Sequence, residues 1–270
     1  MTNVPEGLRD SVVLVTGSAH GIGRAIAVAA AAGGARVVVN SRDRANLDPV
    51  TDEITAAGGR VLPIRADLRD ADQVTALVDE VIGAWGRIDV LVNNAAGMFF
   101  AKAEDITPNG WRTVIDTNLT TAFLCCRAVF PHFVRQGGGR VVNVSSVAAD
   151  HPHPGGAHYA AAKAGMNSLT QTLAVEWAPH NIQVNGVAPG AVRTTGSRFT
   201  DDGERAKVEA ELPGGRIAEP EEIAGVVLTV ATTQTTYLNG ETVRVDGAHR
   251  APLQRPDGVQ TTRHSGGAPA

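Results

Sequence analysis

The chain has 270 residues, 43% hydrophobic and 19% charged, with a formal net charge of −4. It is apolar enough to bury a core and too sparsely charged to remain unfolded, while the negative balance offers phosphate backbones no general attraction. These values exclude a natively disordered chain and argue against nucleic-acid binding.

In chain order, Val12–Val15 is a short β-branched run followed by a glycine-rich turn and a small apolar helix, Ile22–Ala32, which Gly33-Gly34 ends. Val37–Val39 reads as the next strand, Leu47–Ala57 as a helix, Val61–Ile64 as a strand, Ala71–Trp85 as a helix and Ile88–Val92 as a strand. A long helix is expected from about Pro108 to Val134, then the strand Arg140–Val144, a helix around His158–Ala178 and the strand Ile182–Val187. An irregular stretch through Gly215 precedes the helix Pro220–Ala231 and the strand Thr242–Val245. Short apolar strands alternating with helices predict right-handed crossovers. The expected architecture is α/β: a single-domain, Rossmann-type, doubly wound sheet of seven parallel strands covered on both faces. That domain spans 1–250, and the Pro/Gly-rich segment 251–270 reads as a mobile tail or a partner-contacting arm.

Glu6, Arg9 and Asp10 stand where a secretory leader needs an unbroken apolar stretch, and the most apolar run, Ala25–Ala35, is too short to cross a bilayer. Cys125 and Cys126 are neighbours in apolar surroundings, which favours two buried thiols over a bridge. A cytoplasmic protein with no membrane association is expected.

The first strand runs into Thr16-Gly17-Ser18-Ala19-His20-Gly21-Ile22-Gly23. Glycines here let the backbone approach a pyrophosphate closely and set a helix N-terminus against it, where free N–H groups favour negative charge. The second strand ends in Val39-Asn40-Ser41-Arg42, with no acid at 40 or 41 to hold a ribose 2′-hydroxyl. Arg42 can fork onto a 2′-phosphate, Ser41 can hydrogen-bond it and His20 can add positive charge, so NADP(H) is the expected cofactor; the bland alternative is a solvated Arg42. Asp67, followed by Leu68, can accept from an adenine amino group or cap the next helix. Asn93-Asn94-Ala95-Ala96-Gly97 after the fourth strand leaves room for a cofactor, and its asparagines can equally tie strands together.

Tyr159 and Lys163 are four apart on a predicted helix and share a face. Tyrosine titrates near pH 10, and a neighbouring ammonium lowers that value toward the working range of an acid–base group. Just upstream, the strand Val141–Val144 delivers Ser145 and Ser146 to the sheet's carboxyl edge, where a hydroxyl can hydrogen-bond an oxygen that gains charge. Asn118 interrupts an apolar helix face and can hold a proton-supplying water. Asn185–Gly190 and Thr194 end the sixth strand in a sharp turn suited to covering a nicotinamide.

In order and spacing, these motifs resemble the short-chain dehydrogenase/reductase family across about residues 8–248, and Tyr159–Gly165 with Pro220–Ala224 are similar to 3-oxoacyl-(acyl-carrier-protein) reductases. The resemblance implies Tyr159 as general acid, Ser146 as carbonyl-oxygen donor, Lys163 as holder of the nicotinamide ribose, and Asn118 as the residue positioning a relay water. Ser146 is preferred over Ser145 because it lies thirteen positions before Tyr159 and the strand's period of two points Ser145 away. The cofactor set comprises Gly17, Ser18, His20, Gly21, Ile22, Gly23, Ser41, Arg42, Asp67, Leu68, Asn94, Ala95, Ala96, Tyr159, Lys163, Pro189, Gly190, Val192 and Thr194. Two departures stand out: Ala96 replaces a glycine common in the family, a variant similar to some enoyl- and dienoyl-thioester reductases, and Thr232–Gly240 lacks the usual acidic residue.

The expected activity is NADPH-dependent reduction of a ketone, foremost a 3-oxoacyl thioester or polyketide-like carbonyl, free or carrier-bound. A secondary-alcohol dehydrogenase for steroids or sugar alcohols, an enoyl-thioester reductase and a non-catalytic dinucleotide-binding regulator are the alternatives. Asp150–His158, the loop after Met98 and the segment 195–215 should select the substrate. His151, His153 and His158 lie in a proline-stiffened loop without cysteines, so no metal site is expected there. The resemblance also implies a homotetramer packed through the two long helices.

Overall fold

The computed structural model describes residues 7–194 and 201–248; the segment 251–270 lies outside them. The strands are β1 (Val12–Val15), β2 (Arg36–Ser41), β3 (Arg60–Arg65), β4 (Val90–Asn93), β5 (Gly139–Val144), β6 (Ile182–Pro189) and β7 (Thr242–Val245). The helices are α1 (Gly21–Ala32), α2 (Asp48–Ala56), α3 (Ala71–Trp85), α4 (Pro108–Ile115), α5 (Thr121–Gln136), α6 (Ala157–Trp177), α7 (Asp202–Glu211) and α8 (Pro220–Thr232). All seven strands form one parallel sheet in the order β3-β2-β1-β4-β5-β6-β7. The order reverses between β1 and β4, the switch point at which such sheets open a crevice beyond their carboxyl ends.

Two apolar layers explain the β-branched strand sequences. Val13 and Val15 pack with α1 and α8 on one face, while Val12 and Leu14 pack with α3, α5 and α6 on the other. A strand buried on both sides cannot alternate with polar residues, and each fully buried valine or leucine contributes about 2 kcal/mol. Cys125 and Cys126 are free thiols in the second layer, and burial pushes Cys126 up to about 12. Among the described residues no helix is long and apolar enough to cross a membrane.

Three element expectations are corrected. The long helix is interrupted: after α4, residues Asp116–Thr120 form a π turn in which the Thr121 N–H reaches the Asp116 carbonyl, and α5 follows. The stretch before Gly215 contains α7, whose N-terminus is capped by the Asp201 carboxylate accepting from the Glu204 N–H. The helix after β2 starts at Asp48, preceded by a 3-10 turn, Ala45–Leu47.

Candidate active site

A cleft of about 630 Å³ lies at the switch point. Gly17, His20, Gly21, Ile22 and Gly23 line it from the turn after β1, Ser41 and Arg42 from the end of β2, and Asp67 and Leu68 from beyond β3. Asn94, Ala95, Ala96, Tyr159 and Thr194 complete the expected residues on its wall. Ala19, Asp43, Asn46, Arg69, Thr117 and Thr121 also line it and were not anticipated.

The glycines of the turn are required by close approach. Gly17 has φ +60°, and a Cβ there would fall 2.7 Å from Ala95 Cα. Gly23 has ordinary φ, yet a Cβ would fall 2.4 Å from both Asn94 Nδ2 and the Gly17 carbonyl. Asn94 Nδ2 donates to the Thr16 and Gly17 carbonyls (3.0 and 2.9 Å), so the loop after β4 braces the turn. No side chain caps the start of α1. Its leading N–H groups border the cleft, an arrangement that suits a dinucleotide's pyrophosphate.

Ser18, expected in the cofactor set, is instead fully buried: its hydroxyl donates to the Val15 carbonyl (2.9 Å) and accepts the Asn40 N–H (2.8 Å), stitching β1 to β2. Arg42 is exposed, and its guanidinium pairs with no carboxylate among the described residues. Asp43 also borders the cleft, its carboxylate accepting the Ala45 N–H at 3.1 Å. Asp67 does not cap α3; Asp70 does, accepting from the Asp72 and Gln73 N–H groups. The Asp67 carboxylate is forked by Arg69, whose Nε lies 2.9 and 3.2 Å from its two oxygens, which holds its pKa down at about 2.

At the carboxyl ends of β4 and β5 a buried polar ladder replaces hydrophobic contact. Asn93 Nδ2 donates to Asn143 Oδ1 (2.9 Å) and Asn143 Nδ2 to Thr170 Oγ1 (2.9 Å), joining both strands to α6. Such a ladder tolerates no apolar replacement of one partner, since each orphaned buried group costs about 1–3 kcal/mol.

Ser146 and Tyr159 are brought together: the serine hydroxyl lies close enough to the phenol to lower its pKa, and it accepts the Ala148 N–H at 3.2 Å. Ser145 points the other way, donating to Asn167 Oδ1 on α6 at 2.6 Å, as the strand period requires. Lys163 lies one helical turn beyond Tyr159, its Nζ 5.7 Å from the phenol ring centroid, and donates to the Val144 carbonyl at 2.8 Å. The electrostatics differ from the expectation that the ammonium would depress the tyrosine. Burial pushes the phenol up, against a smaller lowering by the nearby Ser146 hydroxyl, and burial pushes Lys163 down to about 7. Both groups sit where their charged forms are poorly solvated, so the phenol keeps its proton at neutral pH.

Asn118 sits on the π turn, fully buried. Its Nδ2 donates to the Gly97 and Val114 carbonyls (2.6 and 2.8 Å), and the Gly97 N–H approaches its Oδ1 at 3.4 Å. Its amide thus reaches back one turn to the Val114 carbonyl of α4. With both N–H donors engaged, the side-chain amide clamps the loop after β4.

Pro189 ends β6, Gly190 packs against Asp246 beyond β7, and Val192 pairs with Ala218 in an isolated bridge. Thr194 reaches over the turn after β1, its Cγ2 being 3.2 Å from the position of a Cβ on Gly21. The three loop histidines do not converge. His151 Nε2 accepts from Arg244 at 2.7 Å, His153 lies against Phe100, and His158 is buried beside Phe99.

Residues 11–205 match the short chain dehydrogenase family. The chain is 38% identical over 240 residues to a 3-oxoacyl-[acyl-carrier-protein] reductase of Thermotoga maritima, covering 89% of this chain and 98% of that protein. It is 40% identical over 247 residues to a protein of the same name from Synechocystis, covering 89% and 97%. A crystal structure of a short-chain type dehydrogenase/reductase from Mycobacterium marinum superposes with a TM-score of 0.86 at 36% identity, covering 91% of this chain and 97% of that one. The chain belongs to the short-chain dehydrogenase/reductase family and is an oxidoreductase.

Proposed function

We propose that the protein reduces a ketone with NADPH, Tyr159 acting as the general acid, and that a 3-oxoacyl thioester is its substrate class. The observation that carries this reading is Tyr159 on the wall of the switch-point cleft, with Ser146 beside its phenol and the buried Lys163 Nζ 5.7 Å from its ring. A bound nicotinamide supplies the hydride. Gly17, His20, Gly21, Ile22 and Gly23 hold its pyrophosphate, Ser41 and Arg42 the 2′-phosphate, and Asp67 and Leu68 flank the adenine. Asn94, Ala95 and Ala96 pack along the nucleotide, Lys163 holds the nicotinamide ribose, and Pro189, Gly190, Val192 and Thr194 cover the ring.

Ser146 hydrogen-bonds the carbonyl oxygen as it gains charge, and the Tyr159 O–H gives that oxygen its proton. A phenol whose pKa is raised by burial is protonated at neutral pH, the state in which it can donate. Asn118 contributes by fixing the loop at Gly97 that borders the reacting centre. The names of the two bacterial relatives support the thioester class. Exposed Trp111, Phe123 and Val175 on α4, α5 and α6 support a homotetramer packed through these helices.

The test is NADPH consumption, followed by absorbance, over a panel of 3-oxoacyl thioesters, steroid ketones and sugar-derived ketones, each repeated with NADH. Thioesters should be turned over fastest, with NADPH favoured. A preference for sugar ketones, or equal kcat/KM with both cofactors, would overturn the corresponding part of the reading.

A further inference from the structure

We propose that His158 is a positioning residue for Tyr159, a neutral imidazole whose Nδ1 holds the tyrosine's backbone N–H and whose ring is pinned by Phe99. The proposal rests on the reading of Tyr159 as proton donor. Helix α6 starts at Ala157, and Gly156 before it has no side chain to accept the first free N–H groups. The N–H of Tyr159 is one of these, and it donates to His158 Nδ1 at 2.9 Å. An accepting nitrogen carries no proton, which assigns the imidazole proton to Nε2. The side chain is wholly enclosed, and burial holds it below its usual pKa against a smaller pull from the Gly156 backbone.

Nε2 is buried without a hydrogen-bond partner. The Phe99 ring stands perpendicular to the imidazole with centroids 4.4 Å apart. Phe99 is in turn seated against Gly110 of α4, where a Cβ would come within 2.9 Å of its Cζ. Contacts therefore run without a break from α4 through Phe99 and His158 to the backbone of Tyr159. The ring gives the α6 N–H an acceptor while its own Nε2–H stays unpaired, so the contact to Tyr159 is kept at a cost in stability. Here the same ring satisfies a helix donor at the residue whose side chain must stay in reach of Ser146. A misplacement of about 1 Å at such a group slows a reaction on the order of 100-fold.

The experiment exploits geometry. Asparagine Oδ1 occupies the place of histidine Nδ1, glutamine's amide reaches the place of Nε2, and phenylalanine keeps the ring without an acceptor. With a ketone identified in the panel, His158→Asn should keep kcat within about threefold of wild type. His158→Gln and His158→Phe should lose about tenfold or more. Ketone KM and nucleotide Kd should stay within about twofold throughout, because neither ligand touches the buried ring. Equal losses in all three variants, or wild-type kcat in the Gln and Phe variants, would overturn the proposal. Should the Phe variant fail to fold, the Asn–Gln comparison decides alone. Tyr159→Phe assayed alongside separates the two ideas: turnover surviving there refutes the proton-donor reading itself.

Discussion

Replacing Lys163 with Met measures what it costs to keep a cation between the sheet and α6. The side chain is 1% exposed, its ammonium donates to the Val144 carbonyl, and burial lowers its pKa from 10.5 to about 7. Proton counting fixes the sign. Between those two values the unfolded chain keeps the lysine proton and the folded chain releases it, so stability rises with pH across this window and gains nothing from this group below it. At about 1.4 kcal/mol per pKa unit, going from about pH 7 to about pH 9.5 adds roughly 3 kcal/mol to the wild type. For a chain of this size that is about 6–12 °C in Tm. All other titrating groups are common to both proteins and cancel in the difference. The variant gives up one charge-assisted hydrogen bond but no longer holds a cation in the interior. Lys163→Met should therefore match or exceed the wild type near pH 6.5 and fall behind it near pH 9.5. Thermal melting of the ligand-free proteins across this range is the assay. Parallel Tm–pH curves for the two proteins would refute the assignment of Lys163 as a strongly depressed amine.

Arg42→Ala should raise the KM for NADPH about 10- to 100-fold, the value of a charge-assisted contact to phosphate, and leave the NADH value unchanged; equal effects on both cofactors would remove Arg42 from the 2′-phosphate site. Gly23→Ala places a methyl 2.4 Å from Asn94 Nδ2 and from a backbone oxygen, so the turn must shift. Its nucleotide Kd, read by fluorescence titration, should rise about tenfold or more, and an unchanged Kd would show that the turn can relax freely. Asn118→Ala strips donors from the Gly97 and Val114 carbonyls. It should lower stability by about 2 kcal/mol, near 4–8 °C in melting temperature; a Tm within a degree of wild type would mean the clamp is dispensable.

The sheet was legible because strands buried on both faces must be short β-branched runs, and Val12–Val15, Val37–Val39 and Val141–Val144 have no other comfortable fold. Tyr159, Lys163 and Ser146 were legible because helical and strand periods decide which faces they share. The π turn was not, since one extra residue per turn leaves no compositional trace and only the partners of Asn118 reveal it. Helix α7 was missed for lack of an apolar stripe, although Asp201 with Glu204 three residues on is a start signal that could have found it. Ser18 was placed in the cofactor set with the rest of the glycine turn, and only the fold shows that its hydroxyl is spent on Val15 and Asn40. Contacts such as Arg244 with Asp150 and His151, over ninety residues apart, follow from strand order alone. The electrostatic sign at Tyr159 depended on burial, which the spacing to Lys163 does not encode.

The account turns on one phenolic proton. Turnover of Tyr159→Phe with NADPH and a 3-oxoacyl thioester, set beside its NADPH Kd, tests this most directly. Removing a single oxygen from a half-buried ring should abolish measurable ketone reduction and leave nucleotide affinity within about twofold. Reduction continuing at a rate near wild type would contradict the account.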